Sequence, residues 1–380
     1  MPRPIRVAID VRPLARGPAT GIGLLVTQIV EELTPKGFEF VGVSDRPLPA
    51  EPFARPLEVR VSAGDGTVRW ERRELPRLLR TLDPPPDLFH ATWNHGVPPG
   101  LPYPSVLSLH DLIPWVAPRY VPWPRPSILH RWLYRDAVRA SARRAAAIVT
   151  LSEASRRDIG ERVPEARDKV EVVPCAVPRW LRPADPGASD AWRKRFGGSY
   201  LLYFGGFDPR KGLDLLVEGM ARAFADPARA PAIVLAGAKN RAAAELQRAG
   251  EVRGLRVHLP GYVPDEDLSA ILGGATLFVY PSRYEGFGIP PLLAMAAGTP
   301  CVVSDAPAIR EVVEDAGLFF PSGDATALGA LLAVAVQDPS ILAPLAARGR
   351  ERAARFSVQA LAERMIRVYE RAASTRAGSA

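Results

Sequence analysis

Residues 276–304 read TLFVYPSRYEGFGIPPLLAMAAGTPCVVS. An apolar run over Thr276–Tyr280 leads into a glycine-rich turn, a helical stretch follows, and Pro300–Ser304 is a second apolar run. Two short apolar runs joined through a helix are typical of parallel strands, because a parallel pair needs a crossover connection. The two prolines suit the first turn of that helix, where an amide hydrogen is not needed. The stretch therefore predicts a strand–helix–strand unit with a loop at the carboxyl end of its first strand.

The same alternation of apolar runs and helical patterns extends over most of the chain. It predicts the α/β class, with two doubly wound Rossmann-like domains that follow one another. A proline-rich stretch at 174–189 interrupts the pattern, so we place one domain at 1–183 and the next at 190–355. A last helix over 356–380 is expected to return to the first domain and to end in a frayed tail. Ligands of doubly wound sheets bind beyond the carboxyl ends of the strands, so we expect the domains to face a central cleft.

The individual strands and helices are predicted from these runs. The predicted strands are Ile5–Asp10, Phe38–Val43, Asp87–Ala91, Ser105–His110, Ala146–Leu151, Val170–Pro174, Leu201–Gly205, Ala232–Ala236, Arg256–Leu259, Thr276–Tyr280, Pro300–Ser304 and Leu318–Phe320. The clearest predicted helices are Ile22–Leu33, Ile128–Arg144 and Glu153–Arg162.

Composition limits the function classes. The 380 residues are 24% charged and 47% hydrophobic, the balance of a globular protein, which excludes wholesale disorder. A net charge of +8 permits nucleic acid, anionic membranes or phosphorylated small molecules as partners, but we expect no nucleic-acid binding because no reader motif is present. Cys175 and Cys301 lie far apart without metal-ligand spacing, which predicts neither a disulfide framework nor a metal site. No run of about 18 consecutive apolar residues occurs, so we expect a cytoplasmic protein.

The loop after the first strand, residues 12–23, ends in the sequence TGIG. Gly21 and Gly23 would let the backbone approach a ligand at the start of a helix, where free amides attract an anion. The loop lacks the third glycine of a dinucleotide fingerprint, and no acidic residue ends the second strand, so we exclude a nicotinamide or flavin site. A tight turn alone explains this loop as well as a phosphate contact does.

Two histidines fall near the ends of predicted strands in the first domain. His110, followed by Asp111, ends the strand in SVLSLHDL, and His90 ends the preceding strand. A histidine at this edge can donate a hydrogen bond to a phosphate or a sugar hydroxyl, while a neighbouring carboxylate fixes its tautomer. A packed histidine is the alternative. The position at the edge favours the functional interpretation for His110 and the structural one for His90.

Residues 205–212, GGFDPRKG, follow the first predicted strand of the second domain and precede a helix. The paired glycines free the backbone, and Arg210 with Lys211 places fixed cations beside a helix amino terminus, which suits a diphosphate. A solvated basic turn is the alternative. Only five residues of the chain are lysines, and the presence of one here favours the diphosphate site.

The turn at 281–288, PSRYEGFG, presents Glu285 and several backbone amides beyond the end of a strand. An isolated exposed glutamate is usually a surface residue. A glutamate held before two glycines and a Pro-Pro helix start is more typical of a functional loop. We therefore expect Glu285 to belong to a ligand site.

At this motif the chain resembles a known family. YPSRYEGFGIPPLLAMAAGTPCVVSD is similar to the donor-site signature of retaining family 4 glycosyltransferases, which have the GT-B fold. The HDL and PRKG-like elements resemble those of mannosyl- or rhamnosyltransferases that build bacterial polysaccharides. The resemblance implies a hexosyltransferase that moves a mannose-like sugar from a nucleotide diphosphate sugar, such as GDP-mannose, to a hydroxyl of a glycan, lipid-linked or small-molecule acceptor. The other segments in the family's order are TGIG, SVLSLHDL, TLSEASRRDI, VEVVPCAV, FGGFDPRKGLDLL and LPGYVPDEDLSAIL.

The resemblance also implies roles for the candidate residues. Lys211, with Arg210, holds the donor diphosphate, Glu285 accepts from sugar hydroxyls, and His110 contacts the sugar and the leaving group. No metal and no other cofactor is expected, because these cations, the helix dipole and the amides stabilise the leaving diphosphate. The remaining implied donor contacts are Gly23, Gly206, Gly286, Phe287 and Gly288, with Tyr262 and Val263 beside the nucleotide base.

The chain departs from the family pattern at two positions. Gly206 stands where the family often has an arginine, and Leu293 replaces the second carboxylate of a Glu-x7-Glu pair that grips the ribose. Loss of that acceptor is expected to weaken donor binding by roughly 1.5–3 kcal/mol. The alternative function is therefore a non-catalytic binding or scaffold protein of the same fold. A nucleotide-sugar epimerase would need a further cleft carboxylate, and none after Glu285 is convincingly placed.

The predicted helix Ile128–Arg144 repeats arginine every four residues. A basic amphipathic helix can lie on anionic lipid, and lipid-linked acceptors are common in the family that the chain resembles. A solvated arginine face is the favoured interpretation, and peripheral contact with the inner membrane face is the alternative. The arginines are Arg131, Arg135, Arg139 and Arg143.

Overall fold

A computed structural model describes residues 3–16, 21–49, 53, 56–64, 69–120 and 127–375. The chain forms two compact units. Unit 1 comprises Met1–Val116, Pro126–Ala176 and Ser357–Ala380, and unit 2 comprises Ala117–Arg125 and Val177–Phe356. Residues 17–20 of the first loop, which include Thr20 of TGIG, and residues 376–380 of the predicted tail lie outside the described residues.

Strands and helices alternate along the described chain. The strands are β1 (Ile5–Asp10), β2 (Phe38–Ser44), β3 (Val59–Val61), β4 (Leu88–Ala91), β5 (Ser105–Ser108), β6 (Ala147–Thr150), β7 (Val170–Val172), β8 (Tyr200–Phe204), β9 (Ala232–Ala236), β10 (Val257–Gly261), β11 (Leu277–Tyr280), β12 (Cys301–Ser304) and β13 (Gly317–Phe320). The α-helices are α1 (Gly21–Leu33), α2 (Leu75–Arg80), α3 (Ile113–Val116), α4 (Ile128–Arg144), α5 (Glu153–Arg162), α6 (Pro186–Arg195), α7 (Leu213–Ala223), α8 (Arg241–Glu251), α9 (Asp265–Gly274), α10 (Ile289–Ala297), α11 (Pro307–Val313), α12 (Ala325–Gln337), α13 (Leu342–Ala354) and α14 (Val358–Ser374).

Each unit contains one parallel sheet. The seven strands of unit 1 have the order β3-β2-β1-β4-β5-β6-β7, and the six strands of unit 2 have the order β10-β9-β8-β11-β12-β13. The central strands are buried apolar runs, as expected where helices cover both faces of a sheet. The predicted class, α/β with two doubly wound Rossmann-like sheets, is confirmed. In both sheets the strand order reverses once, between β1 and β4 in unit 1 and between β8 and β11 in unit 2.

Most predicted elements are confirmed, with differences at their ends. Strand β3 was missed, because three residues on the sheet edge are too short a run to stand out. The prediction that the strand beginning at Ser105 reaches His110 was wrong. Strand β5 ends at Ser108, and the His110 N–H donates to the side chain of Asn94 at 2.8 Å instead of continuing a ladder.

Helix α14 belongs to unit 1, although it comes last in the chain. The Tyr369 hydroxyl lies 2.8 Å from Nδ1 of His90, and the tyrosine ring packs against Phe38 and Phe40 of β2. Arg371 of the same helix pairs with Glu171 of β7 at 2.6 Å. The final helix therefore completes the core that the first half of the chain begins.

Candidate active site

The candidate site of unit 2 lies where its strand order reverses. Strands β8 and β11 are neighbours there, and their carboxyl ends lead into the two loops singled out in the sequence, 205–212 and 281–288. Doubly wound sheets place their ligands at such a reversal, because the loops of the two strands diverge and leave a crevice. The topology thus brings together two motifs that are about seventy residues apart in the chain.

The loop after β8 approaches β11 closely. It forms a 3-10 turn over Pro209–Lys211 and ends at Gly212, whose φ of 65° is left-handed. A Cβ on Gly212 would lie 2.1 Å from the carbonyl oxygen of Pro281, so only glycine fits. The Arg283 N–H donates to the carbonyl oxygen of Arg210 at 2.7 Å and joins the two loops. Backbone contacts therefore fix the positions of the side chains that follow.

Four side chains converge on the Glu285 carboxylate. Its Oε1 accepts from Lys211 Nζ at 2.6 Å, from Ser282 Oγ at 2.7 Å and from the Tyr280 hydroxyl at 2.8 Å. Its Oε2 accepts from Arg210 Nη1 at 2.6 Å. The structure thus brings together Lys211, Arg210 and Glu285, and both oxygens of the predicted sugar-hydroxyl acceptor already have protein donors.

Burial and charge set the protonation states of this cluster. Burial alone would raise the pKa of Glu285, but the charges of Lys211 and Arg210 prevail and lower the pKa to about 2. Burial lowers the pKa of Lys211 against the opposing effect of the Glu285 carboxylate. Burial and the Glu285 charge hold the pKa of Tyr280 well above its usual value. Tyr280 is therefore a neutral phenol at pH 7, and Glu285 is a carboxylate.

The Lys211 ammonium can still donate a hydrogen bond to a ligand. Its side chain is 8% exposed, and within the described residues its ammonium donates to Tyr280 at 2.7 Å and to Glu285 at 2.6 Å. An ammonium has three hydrogens, so one remains for a ligand oxygen. Arg210 is 21% exposed, and besides Glu285 it lies 3.8 Å from Asp208. The cluster can thus present two oriented cations to an anion.

The other predicted donor contacts of unit 2 lie in its loops and in α10. Gly288, at a φ of 128°, caps α10, and Phe287 is buried against the ring of Phe356. Leu293 lies on α10 and is 4% exposed, so an apolar side chain fits its surroundings. The others are Gly206, whose carbonyl oxygen accepts from Tyr203 at 2.5 Å, Gly286, which is buried, and Tyr262 and Val263, which follow edge strand β10. Their roles stay predictions.

His110 lies in unit 1 and is 4% exposed. Its Nε2 lies 2.9 Å from the carbonyl oxygen of Thr92, which can only accept, so Nε2 carries the proton. Burial lowers the pKa of His110 to about 4, so the ring is neutral at pH 7. The expectation that Asp111 fixes the tautomer was therefore wrong, whereas the contact of His110 with a ligand stays a prediction. Nδ1 is buried without a hydrogen-bond partner in the described chain, and it is an acceptor.

The other unit 1 predictions have mixed outcomes. Gly23 is buried in the first turn of α1, beside residues that the structure does not describe, and its phosphate contact stays a prediction. His90 is fully buried between Tyr369 and Ser108, at 2.8 Å and 2.9 Å, as the structural interpretation expected. It is the penultimate residue of β4, which ends at Ala91.

The sequence analysis missed Tyr280 and Ser282. Tyr280 reads as the last apolar residue of a strand, yet its hydroxyl reaches Glu285 beyond the strand end. The sequence signal that could have found them is their closeness to Glu285, which follows Tyr280 by five residues and Ser282 by three.

A buried charge network at the strand reversal of unit 1 was also missed. Arg12, directly beyond β1, donates to Asp10 at 2.6 Å and to Glu71 at 2.9 Å, and Glu71 lies 2.9 Å from His95 Nδ1. The Arg12 guanidinium also lies over the Trp70 ring, 4.4 Å from its centroid. This network fixes the start of the loop after β1.

The predicted arginine stripe of α4 largely contacts protein groups. Arg135 and Arg139 lie over the ring of Trp115, at 5.0 Å and 5.6 Å from its centroid. Arg143 pairs with Glu165 at 2.9 Å. The first turns of the same helix expose apolar side chains instead: Ile128, Leu129, Trp132 and Leu133 are 85%, 62%, 63% and 43% exposed.

The described residues contain no group of three or more His, Cys, Asp or Glu side chains placed to hold a metal ion. They also contain no single helix with the length and apolar character to cross a bilayer, although Ala325–Gln337 and Pro339–Ser374, a pair bent by 92°, together have that length and apolar character.

The chain is similar to known protein families and to proteins of known activity. The family models for Glycosyltransferase Family 4 and Glycosyl transferases group 1 match residues 19–179 and 198–338. O-antigen chain mannosyltransferase B of Escherichia coli is 31% identical over 277 residues, 70% of each chain. The MMP alpha-(1->4)-mannosyltransferase of Mycolicibacterium hassiacum is 31% identical over 256 residues, 66% of this chain and 60% of that protein.

A solved structure supports the same fold. The crystal structure of Anabaena Alr3699/HepE in complex with UDP and glucose has a TM-score of 0.78 to this chain at 18% identity, covering 96% of this chain and 98% of that one. The predicted GT-B fold is thereby confirmed. With 31% identity over most of a curated relative, the protein belongs to glycosyltransferase family 4 and is a glycosyltransferase.

Proposed function

We propose that the protein transfers a mannose-like hexose, with retention of configuration, from a nucleotide diphosphate sugar such as GDP-mannose to a hydroxyl of a glycan, lipid-linked or small-molecule acceptor. The sugar is supported by the two relatives named mannosyltransferases. The observation that carries the donor class is the Lys211 ammonium, held by Tyr280 and Glu285 at the carboxyl ends of two adjacent strands.

In the proposed reaction the bond between the sugar C1 and the diphosphate oxygen breaks, and the acceptor oxygen bonds to C1 on the same face. The acceptor proton passes to a phosphate oxygen, so the substrate supplies the base. Negative charge grows on the leaving diphosphate, where Lys211, Arg210 and the amides at the start of α10 stabilise it. We propose that no metal takes part, because these groups supply the positive potential that the leaving group needs.

His110 has a narrower proposed role than the sequence implied. As a neutral ring with an unprotonated Nδ1, it would accept a hydrogen bond from a sugar hydroxyl rather than donate one to a phosphate. It would thereby orient the sugar.

A thermal-shift panel tests the donor. GDP, UDP and ADP, each with and without its sugar, are added to the protein, and we expect GDP or UDP to raise the melting temperature by mass action. Transfer of labelled hexose to acceptor, with and without EDTA, then tests turnover and metal independence, and the anomeric configuration of the product tests retention. Nucleotide binding without transfer or donor hydrolysis would favour the alternative function, a non-catalytic binding or scaffold protein, which the replacement of a carboxylate by Leu293 suggests. No shift with any nucleotide at millimolar concentration would contradict the enzyme proposal.

We further propose that the protein is cytoplasmic and contacts the inner membrane face through the first turns of α4. Ile128, Leu129 and Trp132 form an exposed apolar surface around Arg131, and such a surface suits an anionic bilayer. Sedimentation with phosphatidylglycerol vesicles should carry down the wild-type protein and leave a Trp132→Ser variant in the supernatant. A Trp180→Ser variant, which removes an exposed tryptophan of unit 2, is the control. Equal sedimentation of wild type and Trp132→Ser would contradict the proposal.

A further inference from the structure

Unit 1 carries a second cationic site, separate from the Lys211 cluster. A surface cavity of about 500 Å³ is lined by five arginines, a single glutamate and two prolines. All of these lining residues belong to unit 1. The charged lining residues, hereafter the arginine pocket, are Arg69, Arg72, Arg73, Glu74, Arg77 and Arg80.

The local fold directs these arginines outward. Residues 69–80 read RWERRELPRLLR, and Trp70, Leu75 and Leu79 of this segment are almost fully buried in the core. The segment begins with a π-helical turn over Trp70–Glu74, closed by the Leu75 N–H bonding to the Trp70 carbonyl oxygen. Glu71 faces inward to Arg12 and His95. Because the core holds these residues, the intervening arginines must share the outer face.

The positive charge of the pocket is only partly neutralised. Arg77 lies 3.4 Å from Glu74, and Arg80 donates to the Gly100 carbonyl oxygen at 3.1 Å. The guanidinium groups of Arg72 and Arg73 form neither a hydrogen bond nor an ion pair with a described residue. Arg144 is the last residue of α4. Burial lowers its pKa, and so do the charges of Arg143 and Arg72, which shows that the positive potential of Arg72 reaches α4.

Arg72, Arg73, Arg77 and Arg80 are exposed, and like charges three and four residues apart on a helical segment repel one another. A bound anion would relieve that repulsion. Guanidinium groups present two parallel donors, which match the oxygens of a phosphate. The cavity volume exceeds what one phosphate needs and accommodates the group to which the phosphate is attached.

We propose that the arginine pocket binds a phosphate-bearing ligand, either a phosphorylated sugar or the phosphodiester of a lipid headgroup. The shared chemistry is a phosphate held by the guanidinium groups of Arg72 and Arg73. The pocket is independent of the proposed transfer reaction, since none of its residues belongs to the Lys211 cluster.

The test compares two variants of equal charge change in unit 1. Arg72→Gln/Arg73→Gln removes two charges from the pocket, and Arg157→Gln/Arg167→Gln removes two exposed arginines elsewhere. Calorimetric titration with mannose 6-phosphate probes the phosphorylated sugar, and sedimentation with phosphatidylglycerol or phosphatidylcholine vesicles probes the headgroup. We expect the pocket variant to weaken binding of one of these probes at least about tenfold, and the control to leave it unchanged.

The outcomes separate this proposal from the donor site. Weakened mannose 6-phosphate binding assigns the site to a phosphorylated sugar, and weakened binding to phosphatidylglycerol vesicles alone assigns it to a lipid. A Lys211→Ala variant should bind these probes as wild type does, and the pocket variant should keep its nucleotide thermal shift. Equal loss in pocket and control variants, loss only in Lys211→Ala, or no binding of any probe by wild type would overturn the proposal.

Discussion

Replacing Lys211 with alanine is expected to lower the rate of hexosyl transfer by at least two orders of magnitude and to abolish the stabilisation of the protein by nucleotide. The Lys211 ammonium is fixed 2.6 Å from Glu285 and 2.7 Å from Tyr280, so its charge is oriented before a ligand arrives. Loss of one preorganised donor at a developing charge lowers kcat by about 10²–10³-fold. The measurements are the steady-state rate with labelled donor and the melting temperature with and without nucleotide.

Lys194→Ala is the matched control, because this exposed lysine lies in the last turn of α6 within the same unit. It should leave the rate and the nucleotide shift unchanged. A circular dichroism spectrum of Lys211→Ala like that of wild type would show that the loss is not a loss of fold. A Lys211→Ala protein that keeps its nucleotide shift and a rate within a few-fold of wild type would contradict the assignment.

The second large effect is on stability. A Glu285→Gln variant is expected to lose about 3–5 kcal/mol of unfolding free energy at pH 7, because it leaves two buried or half-buried cations without their counter-charge. Glutamine keeps the shape of the side chain, so the change isolates the charge. Urea unfolding followed by tryptophan fluorescence measures the difference, and Glu251→Gln, at the exposed end of α8, is the control.

The pH dependence of that difference has a definite sign. The folded protein holds the pKa of Glu285 at about 2, below the ordinary value of 4.5, so the unfolded chain takes up this proton first as the pH falls. The contribution of Glu285 is therefore fully present above pH 4.5 and is lost between pH 4.5 and pH 2. The stability gap between wild type and Glu285→Gln should narrow over that range. A gap that is absent at pH 7, or that stays constant into acid, would contradict the ion-pair account.

The sequence predicts the fold well, because the buried parallel strands are short apolar runs that alternate with helical patterns. It also located the candidate site, since the residues of 205–212 and 281–288 carry signals of their own: paired glycines, adjacent cations and a Pro-Pro helix start. Once the strands are ordered, the reversal between β8 and β11 makes Lys211 and Glu285 neighbours.

The features that the sequence did not predict depend on contacts between residues that are distant in the chain or on irregular backbone. The tautomer of His110 is set by the carbonyl oxygen of Thr92, eighteen residues earlier, which no side-chain pattern reveals. The hydrogen bond from the Tyr280 hydroxyl to the Glu285 carboxylate was not predicted, because Tyr280 ends a strand and was interpreted as an apolar residue. The arginine pocket was not predicted, because its segment begins with a π-helical turn. The residues of such a turn do not repeat with the 3.6-residue period by which an α-helix is recognised in a sequence.

Because α14 belongs to unit 1, the core of unit 1 is completed late in translation. Residues 357–375 supply Tyr369 to the buried ring of His90, so the hydrophobic core started by the first strands stays uncovered while unit 2 is being synthesised. That core can close only after α14 has left the ribosome. During translation the nascent amino-terminal half therefore exposes Phe38 and Phe40 to chaperones, and a premature stop after Phe356 would leave that surface permanently open.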